Sequence, residues 1–432
     1  MKIGNFLFSI ALVFFFTHEI SYAQSTNQLN KTIVKKEKNS WQIIRNGNPY
    51  FVKGAGGSGH LKDLVACGGN SIRTWDSNDG IKILDSAEKY GLTVLMGLRV
   101  TPERHGFNYD DSAAVKKQFQ QMKAEVLRLK NYPALLAWGI GNELNLDYKN
   151  PKVWKAVNDI AVMIHAIDPN HPVTTVLAGI NKREVDYIKS AGNSIDFLSV
   201  NTYAGLASLP QEIITAGWDG AYMVTEWGPT GHWECLQTSW KSAIEESSSE
   251  KAAVYKIRYE YGIEKDRAKC LGSYVFLWGQ KQERTPTWYG LFTEAGETSE
   301  VVNVIQYLFT GKWPANKAPH LYSFQLDNRK ANENIYVKPG VSLQVVALVT
   351  DPENDKLSYR WEILPEPVNL SQGGDREEKS GAVSNAFFNN NAKGKVTMLT
   401  PAKEGAYRVF VYATDGHNNV ATANIPFYVS SL

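Results

Sequence analysis

Between Trp41 and Trp313, short apolar runs alternate with segments whose apolar residues recur every three or four positions. The runs are Tyr50–Gly54, Ser71–Trp75, Thr93–Val100, Leu135–Glu143, Pro172–Leu177, Phe197–Tyr203, Ala221–Glu226 and Gly272–Trp278. Strand-like runs separated by helical patterns indicate a parallel β/α architecture, and eight such strands are the number that closes a barrel. Among the intervening segments, Val115, Phe119, Met122, Val126 and Leu129 step by four and three along Ser112–Lys130. That spacing predicts a helix with one apolar stripe facing the barrel. Asp110, Asp111 and Ser112 are its N-cap candidates. A second helix, Ile81–Tyr90, runs into Gly91, a C-cap signal.

The pattern changes after Trp313-Pro314. Val341–Thr350, Leu357–Ile363 and Tyr407–Thr414 alternate like half-buried strands, and Val420–Val429 does so more loosely. Turn clusters Asp351-Pro352-Glu353-Asn354-Asp355 and Thr414-Asp415-Gly416 separate them, which predicts an antiparallel β-sandwich. Asp351–Trp361, taken with Gly405–Asp415, resembles the immunoglobulin-like and PKD-like modules appended to exported bacterial enzymes. Asp351 and Asp355 could hold calcium or could be solvated turn residues. The expected fold class is therefore α/β: a (β/α)8 TIM barrel over residues 41–314, followed by a smaller all-β immunoglobulin-like sandwich over 318–432.

Length agrees with this division, because 432 residues suit a barrel of about 250 residues plus a smaller module. The net charge of +2 gives no electrostatic case for nucleic acid or an anionic membrane surface as a partner. Aromatic residues make up 12% of the chain, as fits rings stacking on sugars or an aromatic-rich core. At the N-terminus, Lys2, the apolar Ile10–Phe16 and Ser21-Tyr22-Ala23 have the layout of a signal peptide over residues 1–23. The alternative is a membrane anchor, for which the apolar stretch is short. Cleavage after Ala23 would leave residues 24–40 as a lead into the barrel and an exported protein, secreted or periplasmic, without stable membrane insertion. No cysteine lies near that site to carry a lipid. Cys67, Cys235 and Cys270 allow at most one disulfide, or stay as buried thiols, and match no metal motif. His60, His105 and His232 show no convergent ligand spacing, and Gly54-Ala55-Gly56-Gly57 completes no dinucleotide fingerprint. No metal or other cofactor is expected.

The candidate chemistry sits at the ends of two runs. Glu143 closes Leu135–Glu143 and Glu226 closes Ala221–Glu226, the fourth and seventh strands in order. An acid just after a barrel strand lies at the face where such barrels assemble their active sites. Glycoside hydrolysis needs two carboxyl groups there, one to protonate the leaving oxygen and one to attack or to activate water. Each glutamate also has a structural explanation, Glu143 as a helix cap and Glu226 as an ion-pair partner. The pair is more specific than either one.

The pairing resembles the large clan of retaining glycoside hydrolases whose acid/base and nucleophile close strands four and seven. Ile72-Arg73-Thr74-Trp75, Val200-Asn201-Thr202-Tyr203 and Phe276-Leu277-Trp278-Gly279 add to the likeness, as does Trp41–Gly54 with its Asn-Gly turn. It is closest to the barrels of glycoside hydrolase family two and of β-1,3-glucan-cleaving enzymes. The resemblance implies Glu143 as acid/base and Glu226 as nucleophile. It further implies that Tyr203 hydrogen-bonds Glu226, Arg73 holds its charge, Asn142 binds a 2-hydroxyl and Trp278 forms the floor at the cleaved bond. Trp75 and Trp227 are expected to line the cleft. Trp233 and Trp288 lie in loops that sequence does not place.

Family-two enzymes usually carry a sugar-binding sandwich before the barrel, whereas only a few tens of residues precede Trp41. An open cleft and internal cleavage are therefore expected. The resulting reading is a monomeric, exported, retaining endo-β-1,3-glucanase acting on a β-linked polysaccharide or oligosaccharide by double displacement. The alternatives are a β-mannanase or other β-glycanase, a β-glucan transglycosylase, and a polysaccharide-binding protein.

Overall fold

The computed structural model describes Met1 and residues 30–370, 374–391 and 394–431. The expected leader and its cleavage site lie outside the described residues. Three short strands, β1 (Thr32–Glu37), β2 (Ser40–Arg45) and β3 (Asn48–Tyr50), form an antiparallel sheet. Asn46 (φ 49°) and Gly47 (φ 82°) close the β2–β3 hairpin. Two successive left-handed residues are what a tight two-residue hairpin requires, which explains the Asn-Gly pair. The sheet plugs the bottom of the barrel. Ile43 is buried with Leu95, Leu136, Phe197 and Leu271, and Arg45 Nη1 donates to the Leu135 carbonyl at 2.8 Å. The 24–40 lead thus contains a strand that its exposed, charged sequence does not signal.

The barrel follows: β4 (Val52–Gly56), β5 (Ser71–Arg73), β6 (Thr93–Leu98), β7 (Leu135–Ile140), β8 (Val173–Ala178), β9 (Phe197–Asn201), β10 (Tyr222–Trp227) and β11 (Cys270–Val275). These pair in parallel and close on themselves through β11 and β4. Each falls on one of the eight sequence runs. The outer layer is α1 (Leu61–Ala66), α2 (Gly80–Lys89), α3 (Ser112–Leu129), α4 (Lys152–Ile167), α5 (Lys182–Ser190), α6 (Leu209–Thr215), α7 (Ser248–Gly262) and α8 (Glu300–Thr310). The Asp111 side chain caps α3 by accepting from the Ala113 and Ala114 amides, and Met122, Val126 and Leu129 are buried on the expected stripe.

Nine further strands build the C-terminal region: β12 (Thr298–Ser299), β13 (His320–Leu326), β14 (Ile335–Val337), β15 (Ser342–Thr350), β16 (Ser358–Pro365), β17 (Phe387–Asn391), β18 (Lys395–Leu399), β19 (Gly405–Thr414) and β20 (Asn419–Val429). One sheet runs β12-β20-β19-β16 with β14 also on β20, and the other runs β13-β15-β18-β17. Leu326, Val345 and Met398 from one sheet share a core with Ile363, Val409, Ile425 and Phe427 from the other. This is a sandwich, with more strands than the sequence pattern shows.

The sandwich is fastened to the barrel by polar contacts on the start of α7. The Thr422 amide donates to Ser248 Oγ and the Leu321 amide to Ser249 Oγ, both at 2.9 Å. Asn424 Nδ2 reaches the buried Glu245 at 2.6 Å. Arg408 Nη2 donates to the Ala243 carbonyl at 2.7 Å. All three cysteines are free thiols. Among the described residues no helix is long and apolar enough to cross a membrane.

Candidate active site

Two local irregularities present the glutamates to one cavity. Beyond β7 the chain turns through Gly141 (φ 70°) and Glu143 (φ 52°), with the Glu143 amide bound to the Val176 carbonyl at 2.9 Å. A left-handed glutamate costs on the order of 1 kcal/mol and persists where surrounding structure imposes it, often at functional sites. In β10 the register against β9 slips between Val224 and Glu226. Such a bulge re-aims the side chain that follows it.

Arg73 holds the site together. It is 2% exposed at the end of β5. Its Nη1 donates to Glu226 Oε1 and to the Thr225 carbonyl, both at 2.8 Å, while Nη2 donates to Asn142 Oδ1 at 2.6 Å. Glu226 also accepts from Trp75 Nε1 at 2.7 Å and from the Tyr203 hydroxyl at 3.0 Å. Three donors, one of them cationic, thus stabilise negative charge on Glu226. Burial, and then the charge of Glu226, push the Tyr203 phenol well above its ordinary range, so it stays a donor.

Glu143 has different surroundings. Among the described residues its carboxyl accepts one hydrogen bond, from Asn201 Nδ2 at 2.9 Å. Desolvation first, and the neighbouring Glu226 second, push its carboxyl up to about 7. Two carboxyl groups in one site, one ringed by donors and the other biased towards its proton, are the arrangement that divides acid from nucleophile.

Both glutamates line a cavity of about 290 Å³ together with Trp75, Asn142, Tyr203, Trp233, Phe276 and Leu277. Lys281, Glu283 and Gly374 wall its far side. Glu143, Tyr203 and Trp233 also line a second cavity of about 1140 Å³, which runs past Trp240 to Pro365–Val368 and Lys403–Arg408 of the sandwich. The barrel's cleft is therefore not bounded by the barrel alone. The segment after β16 lies on the barrel loops: Lys281 Nζ donates to the Gly374 carbonyl at 2.6 Å, and Arg284 Nη1 to Glu377 at 2.7 Å.

The structure brings Arg73, Trp75, Asn142, Glu143, Tyr203 and Glu226 together and places two other sequence candidates, Trp227 and Trp278, away from them. Trp227 is fully buried, with its ring 5.3 Å from Tyr255 and 5.6 Å from Tyr259 of α7. Neighbouring strand residues face opposite sides, so with Glu226 inward Trp227 belongs to the helix layer. Trp278 is likewise buried, donating Nε1 to the His60 carbonyl at 3.0 Å and packing on Phe292. Phe276 and Leu277 take the lining position expected of it. Of the two unplaced loop tryptophans, Trp233 lines both cavities at 57% exposure, whereas Trp288 is buried at 2%.

Asn201, which bridges Glu143, Asn142 and Thr225, was not singled out from the sequence. Its signal was the same as that of the glutamates, a polar residue closing an apolar run. Lys281, Glu283 and Gly374 carry no comparable signal because they lie in loops.

Removing Arg73 should cost stability as well as activity, since it leaves buried Glu226 and Asn142 without their shared partner. Arg73→Met is expected to lower the unfolding free energy by about 3–5 kcal/mol, read from urea denaturation. A loss under about 1 kcal/mol would mean that water or a neighbour replaces the guanidinium.

Residues 69–211 match the TIM barrel domain of glycosyl hydrolases family 2. No curated protein matches the chain. Similar solved structures include Faecalibacterium prausnitzii β-glucuronidase, at 19% identity and TM-score 0.52, covering 65% of this chain and 52% of that one. A GH2 β-galacturonidase from Eisenbergiella tayi bound to galacturonate is 17% identical, with TM-score 0.51, covering 65% of this chain and 54% of that one. Bifidobacterium dentium β-glucuronidase complexed with coumarin-3-O-glucuronide is 18% identical, with TM-score 0.51, covering 65% and 49%. The chain spans about half the length of these proteins, and at this identity the likeness is one of fold.

Proposed function

We propose that the protein is a retaining β-glycoside hydrolase that cleaves a β-linked oligosaccharide or polysaccharide by double displacement. The observation that carries this reading is the unequal pair in one cavity: Glu226 held by Arg73, Trp75 and Tyr203, and Glu143 pushed up to about 7. Glu143 donates its proton to the leaving oxygen while Glu226 attacks the anomeric carbon. Once Glu226 is esterified its charge is gone, the second cause of Glu143's proton affinity disappears, and Glu143 can take a proton from water. Asn142, beside the reacting pair, is placed to bind a hydroxyl of the same sugar.

The larger cavity begins at the acid, so it receives the leaving part of the substrate. At about 1140 Å³ it has room for several sugar units and favours a chain over a small aglycone. On this basis we propose a polymer substrate, with internal cleavage of β-1,3-glucan as the specific form implied by the sequence resemblance. Export of the mature enzyme belongs to the same proposal. A second reading, release of single sugars from chain ends, is favoured by the Glu226-side cavity of about 290 Å³, walled by Lys281, Glu283 and Gly374.

Product sizing over time separates them. The panel comprises β-1,3-glucan, β-mannan and xylan, with aryl β-glucuronide and β-galacturonide added because structural neighbours carry those names. Mixed oligosaccharides appearing early from β-1,3-glucan are the expected result. Monosaccharide as the only early product would replace internal cleavage by the second reading. Glycan binding without turnover of any substrate would overturn the enzyme reading.

A further inference from the structure

The turns joining β15 to β16 and β19 to β20 bring three carboxylates together far from the glutamate pair in sequence. Asp351, Asp355 and Asp415 each offer one oxygen, and these oxygens lie within 4.8 Å of one another. Oxygens bound to one calcium ion at 2.3–2.6 Å can be no more than about 5 Å apart, so the spacing fits a shared ion. Asp351 and Asp415 are 8% and 4% exposed, and Asp355 is half-buried. Among the described residues no lysine or arginine pairs with any of the three. His417 Nε2 lies 3.7 Å from Asp355 Oδ2 on a side chain 60% exposed.

The second observation is an orphaned atom. Asp351 Oδ1 accepts from the Glu353 and Asp355 amides at 2.9 and 2.8 Å, which shapes the turn. Asp351 Oδ2 is buried and, among the described residues, has no hydrogen-bond partner. A buried carboxylate oxygen without a partner beside two more carboxylates is costly unless a cation completes it. Asp415 shapes its turn in a similar way, its Oδ1 accepting from the His417 and Asn419 amides at 2.7 and 3.2 Å, while its Oδ2 accepts from Asn419 Nδ2.

We propose that Asp351, Asp355 and Asp415 bind a calcium-sized divalent cation that fastens the sandwich to the barrel. All three ligands are hard oxygens, and no cysteine is among them, which favours calcium over softer metals. The location gives the ion its role. Asn316, in the connection after α8, donates to Asp355 Oδ2 at 2.7 Å and accepts from Asn419 Nδ2 at 2.7 Å. Asn419 also binds Asp415 Oδ2 at 2.8 Å and accepts from Thr298 Oγ1 at 2.7 Å. Through Thr298 the network reaches β12, the strand that pairs with the start of β20. An ion here neutralises the repulsion that otherwise loosens this joint. The proposal stands apart from the glycosidase reading.

The test uses the full protein stripped with a chelator and titrated calorimetrically with calcium, magnesium or zinc alone, with melting followed in parallel. One calcium per chain is expected to bind more tightly than magnesium or zinc and to raise the melting midpoint by several degrees. Asp355→Asn tests the same site without disturbing the buried Asp351. It should weaken calcium binding at least about tenfold, yet melt no lower than the native chain in chelator, because it removes one of three like charges. No calcium binding, with identical melting in calcium and chelator, would overturn the proposal. Binding unchanged in Asp355→Asn would overturn this ligand set.

Discussion

Glu226→Ala is expected to lower turnover of the best β-glycan by at least about 10³-fold while leaving the fold intact. The group removed is the one that forms the bond to the sugar in the proposed mechanism. Azide should restore part of the rate by entering the space the carboxylate leaves. Attack from that face, opposite the departing oxygen, gives the α-glycosyl azide from a β-linked substrate. The complementary variant, Glu143→Ala, keeps the nucleophile, so azide meets the glycosyl-enzyme from the other side and yields the β-azide. The anomer of each product, read by NMR, therefore assigns the two roles independently of rates. Near-native turnover in Glu226→Ala, or the α-azide from both variants, would remove the assignment.

Glu143 governs the pH dependence. Its carboxyl is pushed up to about 7, and the acid form is the one needed for the first step. The native kcat/KM should fall roughly tenfold per pH unit above about pH 7 as that proton is lost. Glu143→Gln should lose about 10²–10⁴-fold on unactivated substrates and should no longer show this limb. Aryl glycosides with an acidic phenol, which leave without protonation, should form the glycosyl-enzyme readily and accumulate it. Stability should also fall as pH rises, but over a lower window than activity. The folded protein holds the Glu143 proton through a range, from the ordinary 4.5 to about 7, in which the unfolded chain releases it. Native stability therefore declines as pH rises through this window, and the deficit persists above it. Glu143→Gln abolishes the deficit, so its melting midpoint should exceed that of the native chain at pH 8 and approach it near pH 4. Equal midpoints at pH 8 would show that Glu143 carries no raised proton affinity.

The barrel was legible because burial imposes itself on sequence. Every barrel strand falls on an apolar run, and α3 buries Met122, Val126 and Leu129 on its apolar stripe. Glu143 and Glu226 stood out as a pair, because acids closing the fourth and seventh runs fall on the same face of a barrel. Arg73, Asn142 and Tyr203 were legible only through family likeness, since nothing in their own spacing says that they meet. The strand β1 was not legible, because it lies at an edge with mostly exposed side chains. β13, with a register shift between Leu321 and Ser323, lacks an unbroken alternation.

The tryptophans show where sequence stops. Trp75, Trp227 and Trp278 all flank the ends of barrel strands, and composition gives each the same capacity to stack on a sugar. Only the inward turn of Glu226 at its bulge sends Trp227 outward to α7, and only the path beyond β11 puts Phe276 and Leu277 in the cavity in place of Trp278. The shape of the cleft was likewise a tertiary decision. Its sandwich wall, from Pro365 to Arg408, and the Lys281–Gly374 contact join segments whose polar, aperiodic sequences carry no information about what they touch. The sequence by itself determined the layers and the two acids, because apolar periodicity is a local record of burial. The facing of individual side chains depends on register and on distant loops, so the tertiary structure alone decided which aromatic residues meet the substrate and how far the cleft is closed.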